Sequence, residues 1–322
     1  MTSRETVKKS LYFQTPERYA HDFPEPYGTD FYSTGLSPSP DDRPSKGIDA
    51  WGCVWECLGK TALGEVKDSP LKDWKDFDKL QKPDIGNEAA WEYVKSAKAA
   101  AGDKYIIGYL VSIYERVHFI RGLENTWCDI IEDKDNLLTL IDLIVEMNVK
   151  IIKRYVGYGV DGIMMTDDWG LQDRLMINPA HWREIWKPAY KLIFDAAHQA
   201  GLDVWLHSCG YIVDILGDLI DIGLNAVHMD QQENMGLERL KDFRGRLAFF
   251  SPVDIQHTMV TGSPEEIRGY CRKMAACLGT REGGFIPRWY TDPAGAGHTR
   301  ENIDVMCREF LKISDELYAR TR

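Results

Sequence analysis

From about residue 85 onward the chain alternates between two kinds of text, and that alternation restricts the fold more than any other feature. Short β-branched or aromatic runs read "YIIGYLVS", "GIMMTD", "DVWLHSC", "AVHMDQ", "LAFFSPVD" and "GGFIPRWY". Between them lie longer amphipathic stretches at about 88–101, 134–157, 178–200, 211–222, 235–243, 263–279 and 299–320. Strands that regularly give way to helices make a parallel sheet covered on both faces. Two helix starts are explicit. Asn178 precedes Pro179, and Ser263 faces Glu266 three residues on, the pattern of a capping box. Pro188, inside the stretch that ends on Gly201, predicts a kink or a break into two helices.

Polar residues gather where these runs end: Ser112, Asp167 and Asp168, His207 and Cys209, Asp230 and Gln231, Asp254, then Arg288, Tyr290 and Asp292. In a (β/α)8 barrel the carboxyl ends of all strands converge on one mouth, where chemistry is done. No Walker sequence supports a doubly wound open sheet instead. The expected fold is therefore an α/β (β/α)8 TIM barrel over residues 86–322. Residues 1–85 are expected to cover it as an irregular extension. That extension holds the Gly/Pro/Ser-rich "YGTDFYSTGLSPSPDDRPSKG", a short hairpin or strand at "IDAWGCVWE", and a linker with one helical turn at "SPLKDWKDFDKLQKPD".

Composition narrows the partners. A net charge of −11 with no Lys/Arg block argues against nucleic acid. No run approaches the roughly 18 apolar residues of a membrane helix. The opening segment lacks the apolar stretch of a secretory leader, and a cytoplasmic location is expected. Seven scattered cysteines suit reduced thiols better than a disulfide framework. Cys53, Cys57, Cys128, Cys271, Cys277 and Cys307 read as small packing residues.

His207 and Cys209 are two apart on a strand end, so the imidazole and the thiol project from one face. Together they suit zinc, which accepts both donors and in catalytic sites keeps about three protein ligands and one open position. Read alone, the pair fits a buried histidine bonded to a carbonyl beside a packing cysteine better than a metal site. Of the adjacent Asp167 and Asp168, one should enter the mouth and one cap the following loop, and Asp168 is taken as the inward group. "FIPRWYTDPAGAGHTREN" adds Arg288, Trp289, Tyr290, Asp292 and His298 on a glycine-rich loop that could close over a ligand. Trp51 and Trp55 could stack on a substrate or simply pack.

In these segments the chain resembles the uroporphyrinogen decarboxylase superfamily. The family includes the decarboxylase and zinc-dependent methyltransferases that work with corrinoid proteins or thiols. The similarity runs from "TSRETVKKSLYFQTPERYAHDFP" to "ENIDVMCREF". It is strongest from "VDGIMMTDDWG" to "AVHMDQQ", followed by "FFSPVDIQ". It implies a (β/α)8 barrel. In the methyltransferases a His-x-Cys pair and one later Cys hold zinc. His207 and Cys209 match the pair, while the third position falls near Asp292 with no cysteine close by. Asp292 is the expected third ligand, with His298, Asp230 and Gln231 as alternatives. An oxygen donor makes the site harder and favours methyl transfer from a methyl ether to a corrinoid over activation of a thiol. Asp168 or Tyr290 would supply a proton. Trp51, Trp55, Asp167, Gln231, Asp254, Arg288 and Trp289 would line the substrate site.

The decarboxylase branch grips propionates with paired N-terminal arginines, whereas "TPERYAHDFP" carries only Arg18. A porphyrinogen is therefore disfavoured. A metal-free barrel that binds a small molecule or a corrinoid protein is the remaining alternative. With no D-x-H-x-x-G signature, corrinoid (cobalamin) would reside on a separate partner protein. The other expected partner is a small-molecule methyl donor or thiol acceptor, and a homodimer is left open.

Overall fold

The computed structural model describes residues 1–57 and 64–319. In chain order, helix α1 (Ser3–Leu11) and strand β1 (Phe31–Thr34) come first. A small antiparallel sheet of β2 (Gly47–Ile48), β3 (Val54–Glu56) and β4 (Glu65–Asp68) follows. The remaining strands are β5 (Tyr105–Tyr109), β6 (Gly162–Thr166), β7 (Asp203–His207), β8 (Ala226–His228), β9 (Ala248–Ser251) and β10 (Phe285–Pro287). With β1 they form one curled parallel sheet in the order β1-β5-β6-β7-β8-β9-β10. Among the described residues the sheet therefore has seven strands rather than eight. Asp22 stands in the eighth place. It bridges Arg288 in parallel and Thr29 in antiparallel fashion, donating its N–H to the Pro287 carbonyl at 3.1 Å.

The six runs read from sequence are all strands of this sheet. The first strand was missed: "FYST", inside the segment expected to be irregular cover, pairs with β5 from Phe31↔Tyr105 to Thr34↔Gly108. Its Phe, Tyr and Thr favour a strand, but the surrounding Gly, Pro and Ser mask the signal.

Alternation along the strands builds the interior. Phe31, Tyr105, Ile107, Met164, Trp205, Ala226, Ala248, Phe250 and Ile286 form an inner cluster with Val7 and Leu11 of α1. Ile106, Ile163, Met165, Val204, Leu206, Val227 and Phe249 instead face the helices, in the outer cluster. Helix α1 lies under the amino ends of the strands. Arg4 pairs with Asp161 at 2.8 Å, Lys8 pairs with Asp203 at 3.1 Å, and Tyr105 donates its hydroxyl to Asp203 at 2.6 Å. One end of the barrel is thus plugged, and the other carries the polar strand ends.

The outer layer begins with α2 (Glu92–Ala101), α3 (Tyr114–Arg121), α4 (Leu123–Glu132) and α5 (Lys134–Tyr158). Next, α6 (Pro179–His181) continues through a π-helical turn, Trp182–Trp186, into α7 (Lys187–Gln199). Pro188 is the second residue of α7, directly after the π turn. The expected break is this π turn. Then come α8 (Val213–Asp221), α9 (Leu237–Leu240), α10 (Thr258–Thr261), α11 (Pro264–Leu278), α12 (Pro293–Ala296) and α13 (Arg300–Tyr318). The last expected helix runs to 320, a position outside the described residues. Both capping signals are present: Asn178 accepts from the Ala180 N–H, and Ser263 and Glu266 form a reciprocal box. No described helix is long and apolar enough to cross a membrane. Cys53, Cys271, Cys277 and Cys307 are buried, whereas Cys57 and Cys128 are exposed and do not serve as packing residues.

The segment 41–55 lies over the carboxyl ends of β5 and β6. Its anchor is Arg116 of α3, a fully buried guanidinium 2.6 Å from Asp49 and 3.1 Å from Asp41. Arg43 reaches the Thr166 hydroxyl at 3.0 Å and Glu115 at 2.8 Å.

Candidate metal centre and adjoining cavity

Counting by twos along each strand reaches the site. Met164 and Trp205 point into the barrel, and so do Ala226 and Ile286. Thr166, His207, His228 and Arg288 form the next layer on the same faces, and Asp168, Cys209 and Asp230 continue the count past the strand ends. His207 Nε2 lies 3.4 Å from Asp168 Oδ1 and 3.4 Å from Cys209 Sγ. All three donor atoms fall within 4.8 Å of one another. The Cys209 N–H donates to Asp168 Oδ1 at 2.8 Å, fixing the carboxylate against the turn. That turn passes Gly170 at backbone contact. Gly210, at φ +73°, has room for no side chain, because a Cβ would stand 2.2 Å from the Gly170 oxygen.

The other ring nitrogen of His207 meets His228 Nδ1 at 3.1 Å. His228 Nε2 lies 3.3 Å from Asp230 Oδ1, which Arg288 holds at 2.9 Å while also touching His228. Burial first, then the Arg288 charge, lowers His228 to about 3, so the ring is neutral. His228 Nε2 thus stands between the Asp230 carboxylate and the Arg288 guanidinium, its Nδ1 shares one proton with His207 Nδ1, and His207 turns its Nε2 towards Asp168 and Cys209. Burial opposes charge on His207, yet Asp168 and Cys209 together raise its proton affinity well above the usual range. The three side chains could offer a metal ion one nitrogen, one sulfur and one oxygen.

The remaining residues singled out from sequence are dispersed. Asp292 is exposed and caps α12, its Oδ1 accepting the Gly295 N–H at 3.0 Å; it lies outside the donor cluster, and Asp168 takes the third place. His298 Nε2 is 2.9 Å from the Ile255 carbonyl, and Gln231 accepts the Gly210 N–H at 2.9 Å, so neither joins the three. Asp230 belongs to a second group with His207 and His228.

Asp167 faces the opposite way from Asp168 and is fully buried. It accepts the Ile113 and Glu115 N–H groups at 2.9 Å each and the Tyr190 hydroxyl at 2.6 Å. It caps the start of α3 and cannot touch a substrate. Burial, against those hydrogen bonds, raises it to about 6. Asp254 is likewise spent on the turn before α10, accepting the Thr258 N–H at 2.8 Å. Trp51 is fully buried and donates to the Pro40 carbonyl at 2.7 Å, a packing role. Trp55 donates to Asp49 at 3.0 Å, with its ring edge against Phe119. Arg288 is committed to Asp230, and Trp289 is half-buried. Tyr290 is half-buried; burial first, then the charges of Asp230, Cys209 and Asp292, raises its phenol and keeps it protonated.

Beside Asp168 opens a cavity of about 530 Å³ whose lining includes Arg43, Trp55, Glu115, His118 and Phe119. Burial raises Glu115 to about 8 despite Arg43, and burial lowers His118 to about 3. Sequence reasoning passed over this group. The one local signal was "YERVHF", where two charged residues and a histidine open the helix that follows β5.

A family model described as uroporphyrinogen decarboxylase (URO-D) matches residues 50–287. The chain is 22% identical over 226 residues to the methylcobamide:CoM methyltransferase MtbA of Methanosarcina mazei, covering 66% of this chain and 64% of that protein. It is 21% identical over 179 residues to a uroporphyrinogen decarboxylase of Bacillus mycoides, covering 53% and 50%. The chain thus spans less than two thirds of either curated relative. A solved methyltransferase from Methanosarcina mazei shares the fold at TM-score 0.73 and 15% identity, over 97% of this chain and 99% of that one. With the match running from the cover segment to the end of β10, the chain belongs to the uroporphyrinogen decarboxylase family.

Proposed function

We propose that the protein is a zinc-dependent methyltransferase that moves a methyl group between a small O- or N-methyl compound, or a thiol, and a corrinoid carried by a separate protein. The observation that carries this reading is the convergence of Asp168, His207 and Cys209 at the mouth of the barrel. Zinc bonds of roughly 2.0–2.3 Å at the tetrahedral angle hold neighbouring donors about 3.3–3.6 Å apart. The two separations of 3.4 Å at His207 fit that requirement. A bound zinc would supply Lewis acidity at an open fourth position, polarising a leaving oxygen or lowering the pKa of a thiol.

The chain's own groups then have distinct tasks. His228 and Asp230 orient His207, the Cys209 N–H and the turn at Gly210 fix Asp168, and the protonated Tyr290 would give a proton to the leaving group. The activity named for the Methanosarcina relative agrees with this assignment. Decarboxylation of a porphyrinogen is disfavoured by the amino-terminal segment, where Arg18 is already paired with Asp30 at 2.7 Å.

The test is spectroscopic. Zinc-loaded protein is mixed with methylcobalamin and a thiol, and separately with reduced cobalamin and an aryl methyl ether. Enzyme-dependent change in the corrinoid absorbance, lost in Cys209→Ser, is expected in one arm. No change in either arm refutes methyl transfer.

A further inference from the structure

We propose that the cavity beside Asp168 is a binding subsite for a small neutral molecule with an aromatic ring and a hydroxyl head, the hydroxyl pairing with Glu115 and His118. Three observations point to this ligand.

Glu115 is 8% exposed, and its Oε2 has no hydrogen-bond partner among the described residues, although its Oε1 receives Arg43 at 2.8 Å. A buried carboxyl oxygen left bare is costly unless something completes it. His118 lines the same cavity, and among the described residues neither of its ring nitrogens makes a hydrogen bond; its contacts are with the rings of Tyr114 and Phe119. A neutral imidazole and a protonated carboxyl each offer one donor, and a hydroxyl both donates and accepts, so the groups match.

The walls set the body of the ligand. Trp55 and Phe119 stand edge to face at 4.9 Å, with Val66 and Leu123 alongside. The volume of about 530 Å³ suits one or two fused rings. Charge decides the head group. A carboxylate would meet Asp168, and the guanidinium that could hold it is already spent on Glu115, Asp41 and Thr166. An ammonium, although Asp168 would attract it, can accept no hydrogen bond from the protonated Glu115 and would stand beside the Arg43 guanidinium.

The role assigned to this ligand, the molecule that gives or keeps the methyl group, rests on the proposed methyl transfer. Its binding does not, because the two residues that pair with its hydroxyl, Glu115 and His118, lie outside the donor cluster. The experiment therefore uses the full chain after treatment with a chelator, titrated calorimetrically at pH 7 with 2-naphthol, 2-naphthoate and 2-naphthylmethylamine. Saturable binding of 2-naphthol is expected, with a Kd of roughly 0.1–1 mM for a ligand of this size, and much weaker binding of both ionic probes. Glu115→Gln keeps one acceptor and one donor and should bind 2-naphthol within about threefold of wild type, while Glu115→Leu should lose roughly tenfold or more. If Glu115→Leu does not fold, His118→Phe takes its place; it keeps the ring packing and should weaken binding several-fold.

Absence of saturable binding, tighter binding of either ionic probe, or undiminished affinity in both Glu115→Leu and His118→Phe overturns the assignment. A protein that binds 2-naphthol but transfers no methyl group would refute the proposed function and leave the subsite standing.

Discussion

Replacing Glu115 with glutamine keeps the side chain's shape and its acceptor for Arg43 but removes its proton equilibrium. Glu115 is raised from the ordinary 4.5 to about 8, by burial first and then by Asp168 and Asp167 against the pull of Arg43. A group whose proton affinity rises on folding gives its full stabilisation below its unfolded pKa, and loses it as pH climbs through the folded one. Each factor of ten in proton affinity is worth about 1.4 kcal/mol. Between pH 5.5 and 8.5 the wild type should therefore lose about 3 kcal/mol through this residue alone. Glu115→Gln has no such loss. Titrating groups remote from residue 115 act in both proteins and cancel in the difference. Urea unfolding of the pair at the two pH values should show the stability gap moving in favour of the variant by about that amount at pH 8.5. A gap that is the same at both pH values refutes the burial argument for Glu115.

Three further substitutions probe the architecture around the site. Gly210→Ala forces a left-handed backbone, worth at least about 1–2 kcal/mol, and drives a Cβ into the Gly170 oxygen; a clear fall in Tm is expected, and unchanged thermal unfolding contradicts the crossing of the two turns. Arg116→Met leaves Asp49 and Asp41 without their buried partner and should cost about 3–5 kcal/mol by urea unfolding, whereas a loss under 1 kcal/mol would mean that the cover is anchored elsewhere. Asp292→Ala removes only the cap of α12 and should cost no more than about 1 kcal/mol with metal content unchanged. A drop in bound metal would restore Asp292 as a ligand.

Much of this architecture was legible because strands obey a period of two. The spacing of His207 and Cys209 sets both on one face, and the same rule separates Asp168 from Asp167, which turns into the wall to cap α3. Helix caps at Asn178 and Ser263 are local and could be read directly. What stayed hidden depends on distant segments or on competing local cues. β1 is four residues set among Gly, Ser and Pro, and its identity as a strand comes from pairing with β5 across some seventy intervening positions. Position along the chain directed attention to Asp292 as third donor, but its carboxylate is consumed by its own turn, and the donor that reaches His207 comes from the end of β6. Arg43 and Glu115 meet only because the cover segment folds back over α3, a contact that no local periodicity encodes.

Metal content, measured on protein purified without a histidine tag, tests the central claim most directly. About one zinc per chain is expected in the wild type, with stoichiometric binding lost in Cys209→Ser and in Asp168→Asn and retained in Asp292→Ala. Wild-type protein holding no zinc or other transition metal, or zinc undiminished when Cys209 and Asp168 are both replaced, would contradict it.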